Sequence, residues 1–291
     1  MQVLQLLING VSRGCIYGLV ALGLVLIYKT TETINFAQGE LMTIGAFTGL
    51  AAVKLLGLPF WVAFVFAIAV SAVIGLALEF LLLRPLLGEP AFAVVMVTIA
   101  LSFALRGLVM SIPGIGIETH VYPTPYAETV FEVGPLRINA DRLVVMGVTV
   151  ALCGALFALF RFTRVGLAMQ AVSQNQLAAH YMGIPVERLY GLVWGISAAV
   201  ATCASILLAP VTFVHVNMGF IGLKALPAAV LGGFSSLPGA IVGGVLIGVI
   251  EALAGFYLPE GFKDIAAYVA VLVMLMVKPE GLFGDHRQKK V

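Results

Sequence analysis

Read for runs of apolar positions, the chain divides into long hydrophobic stretches separated by short polar interruptions. The runs over residues 3–28, 34–56, 60–83, 92–112, 143–160, 189–213, 237–257 and 265–277 each approach the roughly 20 residues that a bilayer core requires. A further stretch, 220–234, is apolar but short and is broken by Pro227, Gly232 and Gly233, so it either crosses or enters and returns. The predicted fold class is therefore all-α: a polytopic transmembrane helical bundle of about 8–9 spans, with one or two broken or re-entrant helices. Residues 1–291 form a single transmembrane domain.

One interruption departs from the pattern. Residues 161–188, RFTRVGLAMQAVSQNQLAAHYMGIPVER, are too many for a simple turn between two spans. At about 100° per residue, Ala171, Leu177, Ala178, Tyr181 and Met182 fall within an arc of roughly 140°, with Ser173, Asn175, Gln176 and His180 outside it and Gln174 interrupting it. The segment has no internal Pro and stops at Gly183, Ile184 and Pro185. The pattern predicts a short amphipathic helix over 171–182 with a built-in stop. Taken alone, the pattern suits a helix lying on the lipid surface as well as a docking helix.

Composition agrees with the spans. Hydrophobic residues make up 61% and charged residues 10% of the chain, with a mean hydropathy of +1.09, far from a soluble average of about 45–50% apolar and 25% charged. The first apolar run is too long for a signal-peptide core and has no basic cluster ahead of it, so no cleavage is expected. Cys15, Cys153 and Cys203 all lie inside apolar runs and are read as packing residues. Charge sets the orientation. Arg161, Arg164 and Arg188 face only Glu187 around the polar interruption, and the tail over 278–291 carries Lys278, Arg287, Lys289 and Lys290. The loop over about 113–142 instead holds Glu118, Glu128, Glu132 and Asp141 against two arginines. Basic loops favour the cytosol, which places the interruption and the tail inside and the 113–142 loop outside. Counting back through the spans puts the N-terminus outside, and counting forward puts the tail inside only if the 220–234 stretch crosses.

Small residues recur at helical spacing: Gly10, Gly14 and Gly18; Gly45 and Gly49; Gly239 and Gly243; Gly244 and Gly248. This spacing lets helix backbones approach closely, and its concentration in three spans suggests tight packing with a moving or dimer interface there. Two stretches, TETINFAQGE and ALPAAVLGGFSSLPG, place Gly or Pro with hydroxyl and amide groups inside apolar sequence. Broken helices at membrane depth are tolerated only where protein buries them or water reaches them. Asn35, Gln38, Gly39 and Glu40, with Ser235 and Ser236, are the candidate pathway residues. The same residues also suit helix ends, Asn35 as a cap and Glu40 in a first turn. Arg13, Glu79, Arg106 and Glu251 are the other ionisable groups within spans, and Arg13 and Glu251 are candidates to pair, whereas Glu79 lies near a span end within reach of the interface. His120, His180, His215 and His286 are scattered, with no metal motif and no phosphate-binding loop. No cofactor, metal or nucleic acid is expected on this chain, catalysis is not, and membrane lipid is its solvent.

Ala171 to Pro185 resembles the cytoplasmic coupling loop of ABC importer permeases, although Gln170-Ala171-Val172 stands where many have Glu-Ala-Ala. TINFAQGELMTIGAF and LPAAVLGGFSSLPGAIVGG are similar to the permease family for branched-chain amino acid uptake, in its shorter, H-type subunit, and the similarity runs nearly end to end outside 113–142. The resemblance implies a bacterial inner-membrane heterodimer with a second permease subunit, two ATPase subunits that use the ATP, and a periplasmic solute-binding protein. It makes Ala171, Gln174, Leu177, Ala178, Tyr181, Met182, Gly183 and Pro185 the ATPase-coupling residues. The expected solutes are leucine, isoleucine and valine. The alternatives are a permease for urea, short amides or another small polar solute, a proton-coupled carrier using Glu40 or Glu251, and a structural subunit without a path.

Overall fold

The computed structural model describes residues 2–86, 88–126, 129–133, 136–259 and 261–284. The long helices are α1 (Gln2–Thr31), α3 (Phe60–Leu78), α4 (Ala91–Met110), α5 (Ala140–Phe162), α8 (Val186–Thr212) and α11 (Leu237–Tyr257). Among the described residues, six helices are long and apolar enough to cross a membrane, α3 being counted with its continuation to Leu86. Shorter helices complete the bundle: α2 (Gln38–Lys54), α6 (Arg164–Gln174), α7 (Gln176–Tyr181), α9 (Met218–Leu223), α10 (Ala225–Gly232) and α12 (Phe262–Val277). An antiparallel strand pair, β1 (Val130–Val133) with β2 (Leu136–Asn139), sits within the 113–142 loop.

Local sequence sets the boundaries. Pro59 and Pro90 immediately precede α3 and α4, where a missing N–H costs nothing. The hydroxyls of Thr30 and Thr31 turn back onto the carbonyls of Leu26 and Ile27 at the end of α1, and Glu32 then takes a left-handed φ of 54°. The predicted run beginning at residue 34 becomes helical only at Gln38.

Burial orders the helices. In α1 and α8 the apolar stretch is 89% and 83% buried, whereas in α3, α4 and α5 it is only 22% buried. Two central helices are thus wrapped by others that keep one face for lipid. The glycine stripes explain the centre. A Cβ on Gly14 would lie 2.6 Å from the Cα of Val245, and one on Gly10 would lie 2.9 Å from that of Val249. Gly244 and Gly248 press back on the backbone at Gly18 and Gly14, so α1 and α11 run antiparallel at backbone contact. Gly45 packs in the same way on Thr202 of α8. The small residues expected to mark a moving or dimer interface are therefore used within the chain. Gly248→Leu is expected to overpack this contact at the upper end of about 1–3 kcal/mol, seen as a lower membrane level and a lowered melting midpoint of the purified protein.

The bundle has two distinguishable ends. At one, Gln5 donates to the Arg137 carbonyl (3.1 Å), His120 bridges Val214, and the Lys54 ammonium meets His120 at 3.2 Å. Tyr122 is buried there against Phe60, and burial pushes its phenol up to about 12. At the other, α6 and α7 lie beside the end of α1, and Arg84 pairs with Glu187. The 220–234 stretch joins these ends rather than returning. It leaves Val214, passes through α9 and α10, and reaches Phe234, whose ring meets Tyr28 at 4.7 Å. Its last turn is held by the tail, where Leu282 and Phe283 donate to the Leu231 and Gly232 carbonyls.

Two charge expectations are corrected. Arg13 is exposed, and Glu251, 1% exposed, pairs instead with Lys224 at 3.4 Å and accepts from the Tyr17 hydroxyl at 2.8 Å. Lys224 stands between α9 and α10, so this ion pair ties the helix break to α1 and α11. Glu79, expected within reach of the interface, is 4% exposed: it opens a π-helical turn, Glu79–Leu83, that continues α3, and its carboxylate lies against Gly191.

Candidate functional site

The polar stretch after α1 dips into the bundle. Gln38 packs on Gly23, eight residues before the end of α1, hence about 12 Å along the helix at 1.5 Å per residue. Irregular backbone at that depth needs partners from the protein itself. Asn35 Oδ1 accepts from the Ala37 N–H (2.9 Å), and the Thr98 hydroxyl accepts from the Phe36 N–H (3.3 Å). Asn35 thus closes a local turn before α2 instead of capping it, since no side chain caps that helix. The Gln38 amide donates to the Ser197 carbonyl (3.3 Å), and the Ser197 hydroxyl lies 2.9 Å from both the Gln38 Oε1 and the Gly23 carbonyl. Asn35, Gln38 and Ser197 are almost fully buried, at 1%, 2% and 0% exposure.

One residue further on, α2 meets α9 backbone to backbone. A Cβ on Gly39 would collide with the Gly219 carbonyl oxygen, a Cβ on Gly219 would collide with the Glu40 carboxylate, and one on Gly222 would sit 2.6 Å from the Gly39 Cα. Close approach, not a left-handed backbone, is what requires glycine at 39. Glu40 points along this contact to Arg106 of α4, whose guanidinium donates twice to Oε1, at 2.5 and 3.1 Å. Arg106 also lies over the Phe220 ring, 4.1 Å from its centre, a cation–π contact that steadies it from the other side. Glu40 Oε2 is buried without a hydrogen bond. Beside the pair is a cavity of about 260 Å³ lined by Phe36, Gly39, Glu40, Ser102, Arg106 and Phe220 among others.

Ser235 and Ser236 are elsewhere. Ser236 caps α11, accepting from the Gly239 N–H at 3.1 Å, and both serines line a groove of about 890 Å³ beside Lys29, Arg161 and Gln170 at the α6 end. The two broken motifs are not brought together.

The polar interruption over 161–188 also differs from expectation. It is two helices, α6 and α7, and not one over 171–182. Asn175 breaks it, with extended backbone (φ −157°), and its side chain accepts from the Ala178 N–H at 2.9 Å. A residue that competes for backbone donors favours a cap over a helix interior, which is why the apolar arc did not persist through it. Ala171 and Gln174 lie on α6, and Leu177, Ala178 and Tyr181 on α7, followed by Met182 and by Gly183 at φ 80° ahead of Pro185. Leu177, Tyr181 and Met182 are 64%, 79% and 83% exposed, while Ala179 is buried against the bundle.

The sequence is similar to those of known permeases. The sequence profile described as branched-chain amino acid transport system, permease component, matches residues 6–278. The chain belongs to this permease family. It is 31% identical to the high-affinity branched-chain amino acid transport system permease protein LivH of Escherichia coli, covering 100% of this chain and 98% of that protein. BraD of Pseudomonas aeruginosa, a permease protein of the same named system, is 29% identical over 99% of this chain and 98% of its own. The fructose import permease protein FruF of Bifidobacterium longum is 28% identical over 93% of this chain and 76% of its own. Among solved structures, PsaBC from Streptococcus pneumoniae in complex with Fab aligns over 94% of this chain and 92% of that chain with a TM-score of 0.51 and 17% identity, a likeness of fold. The protein is a multi-pass permease of the bacterial inner membrane, a transport subunit and not an enzyme.

Reading the permease sequence by motif missed Ser197, Thr98, Gly219 and Phe220, and left Arg106 without a role. Arg106 carried a signal, a lone cation inside an apolar span. Ser197 carried none, because a serine in a helix of small residues looks like ordinary packing.

Proposed function

We propose that this chain is the translocating subunit of an ATP-driven importer for leucine, isoleucine and valine, delivered by a periplasmic binding protein. The observation that carries the reading is the 31% identity to the LivH permease over 100% of this chain and 98% of that protein. Nine passes fit the helix order: α1, α2, α3 with its continuation, α4, α5, α8, α9 with α10, α11 and α12. The basic residues around α6 and α7 put that end in the cytosol and the hairpin end outside. A second permease subunit, two ATPase subunits and the binding protein complete the assembly. ATP is bound and hydrolysed by the ATPases. Their closure would push on α7, and the push would favour one of two bundle openings through differential contacts. The solute would pass the Asn35–Gln38–Glu40 segment, with Ser235 and Ser236 at the cytosolic exit.

Reconstitution of the full complex in proteoliposomes tests the reading: loaded binding protein should drive leucine uptake that requires ATP. Uptake driven by a proton gradient without ATP would instead support the carrier reading. The likeness to FruF favours a second reading, another small polar solute, and ligand binding by the cognate periplasmic protein separates the two.

The outer hairpin offers a docking surface to that protein. Glu132 is exposed and pairs with Arg137 at 3.0 Å, while Glu128, its expected companion, lies outside the described residues. Glu132→Lys is expected to raise the concentration of binding protein giving half-maximal uptake about two- to fivefold and to change its salt dependence, as rim charges act on encounter more than on the bound state. An unchanged dependence would make this a solvated loop.

A further inference from the structure

We infer that the Glu40–Arg106 pair is a binding site for the charged end of a zwitterionic amino acid within the translocation path, the solute ammonium going to Glu40 and the solute carboxylate to Arg106. This rests on the importer reading above and specifies the chemistry that the path admits.

The argument starts from charge. Glu40 and Arg106 face each other with side chains only 6% and 17% exposed, so neither partner can leave the other without an equivalent replacement in a medium of low dielectric. A zwitterion supplies that replacement: one ion pair becomes two, and net charge in the cavity stays zero throughout. Urea or a short amide offers neither charge and would leave two buried ions facing each other across an uncharged solute. The pair also has unused capacity. Both hydrogen bonds from Arg106 fall on Oε1, which leaves Oε2 free of the guanidinium and with acceptor capacity for an ammonium group. Arg106 rests on the Phe220 ring, which holds the cation in place while its carboxylate partner is exchanged.

The surroundings fit the rest of such a solute. The cavity holds about 260 Å³, and Ile99, Phe103, Phe220 and Leu223 give it an apolar wall beside the charges. That is the division a small aliphatic amino acid needs: a few oriented polar groups and an apolar recess. Phe103 and Phe220 are 70% and 52% exposed at its rim, so the cavity opens sideways and is not sealed inside the chain.

The test uses the complete importer in proteoliposomes. The wild-type complex is first assayed for ATP-dependent leucine uptake; if loaded binding protein drives none, the importer reading fails and this site falls with it. Next, Glu40→Gln with Arg106→Gln removes both charges while keeping an amide pair of similar shape, and co-purification of the ATPase subunits establishes that the variant assembles. Leucine uptake is expected to fall by about tenfold or more, because nothing remains to replace the charges of the solute. Uptake near wild type in that double variant, with the wild-type complex working, would show that the pair is only structural. A second measurement leaves the pair intact. With Cys15, Cys153 and Cys203 replaced, Ser102→Cys at the cavity wall is labelled by a maleimide. Leucine should slow labelling, whereas leucinamide, lacking the carboxylate, and 4-methylpentanoate, lacking the amine, should not. Equal protection by all three, or by none, overturns the assignment.

Discussion

Gly39→Val is expected to abolish uptake while the chain still inserts in the membrane at near-normal level. Insertion follows the apolar content of the spans, which one added isopropyl group does not reduce. What changes is the contact between α2 and α9. A bare Cβ at 39 already collides with the Gly219 carbonyl, and overpacking of this kind costs about 1–3 kcal/mol even where neighbours can move. Here they cannot adjust locally, because Gly222, one turn further along α9, also presses on Gly39, and Glu40 is anchored to Arg106. Relief requires α9 to shift away, which pulls Phe220 off Arg106 and opens the cavity wall. Gly39→Ala should show a smaller loss in the same direction. Membrane level, ATPase co-purification and leucine uptake are the measurements. Normal uptake by Gly39→Val would remove the α2–α9 contact from the pathway.

Ala178→Glu is expected to strip the ATPase subunits from the complex. Ala178 is exposed on α7 between Leu177 and Tyr181, so the substitution leaves the permease fold intact. If this face enters an ATPase groove, it buries a carboxylate without a partner, at a cost of about 3–5 kcal/mol, or about a hundredfold or more in affinity at 1.4 kcal/mol per decade. Ala179, the adjacent position that a single continuous helix would turn toward solvent, is 5% exposed against the bundle. Ala179→Glu would therefore damage this chain itself, and His180→Glu, exposed and about 200° around the helix from Ala178, is the proper control. Gly183→Pro should also uncouple. The Gly183 N–H donates to the His180 carbonyl at 3.0 Å and its φ is 80°, so proline loses the bond and cannot take the angle. Co-purified ATPase and ATP hydrolysis stimulated by loaded binding protein are measured for each variant. Full ATPase retention by Ala178→Glu would mean that α7 is not the ATPase contact.

The sequence by itself determined the membrane class, most of the helix positions and the polar break after α1, because each follows from local composition. An apolar run of about 20 residues has one stable solution in lipid, a helix. Gly183 before Ile184-Pro185 ends a helix whatever surrounds it. The glycine stripes announced close packing for the same reason: only glycine admits a neighbouring backbone at that distance. Their partner was not legible, since Gly10, Gly14 and Gly18 would suit any helix of matching shape, and only the folded chain assigned them to Gly244 and Gly248. The same limit applied to charge. Glu40 and Arg106 were both visible as costly intramembrane ions, as were Glu251 and Arg13, but pairing depends on helix order and rotation, which no local pattern encodes. The bundle joined Glu40 to Arg106 and gave Glu251 to Lys224. The break at Asn175 was decided by a competition of similar energies, an apolar arc favouring one helix against a side chain able to cap a second. Tertiary packing of Val172 and Ala179 on the bundle accompanies the two-helix outcome. Ser235 and Ser236 looked equivalent to Asn35 and Gln38 because both stretches mix polar groups with helix breakers; only the path of α9 and α10 through the bundle carried the serines to the α6 end, away from the buried break at Gln38.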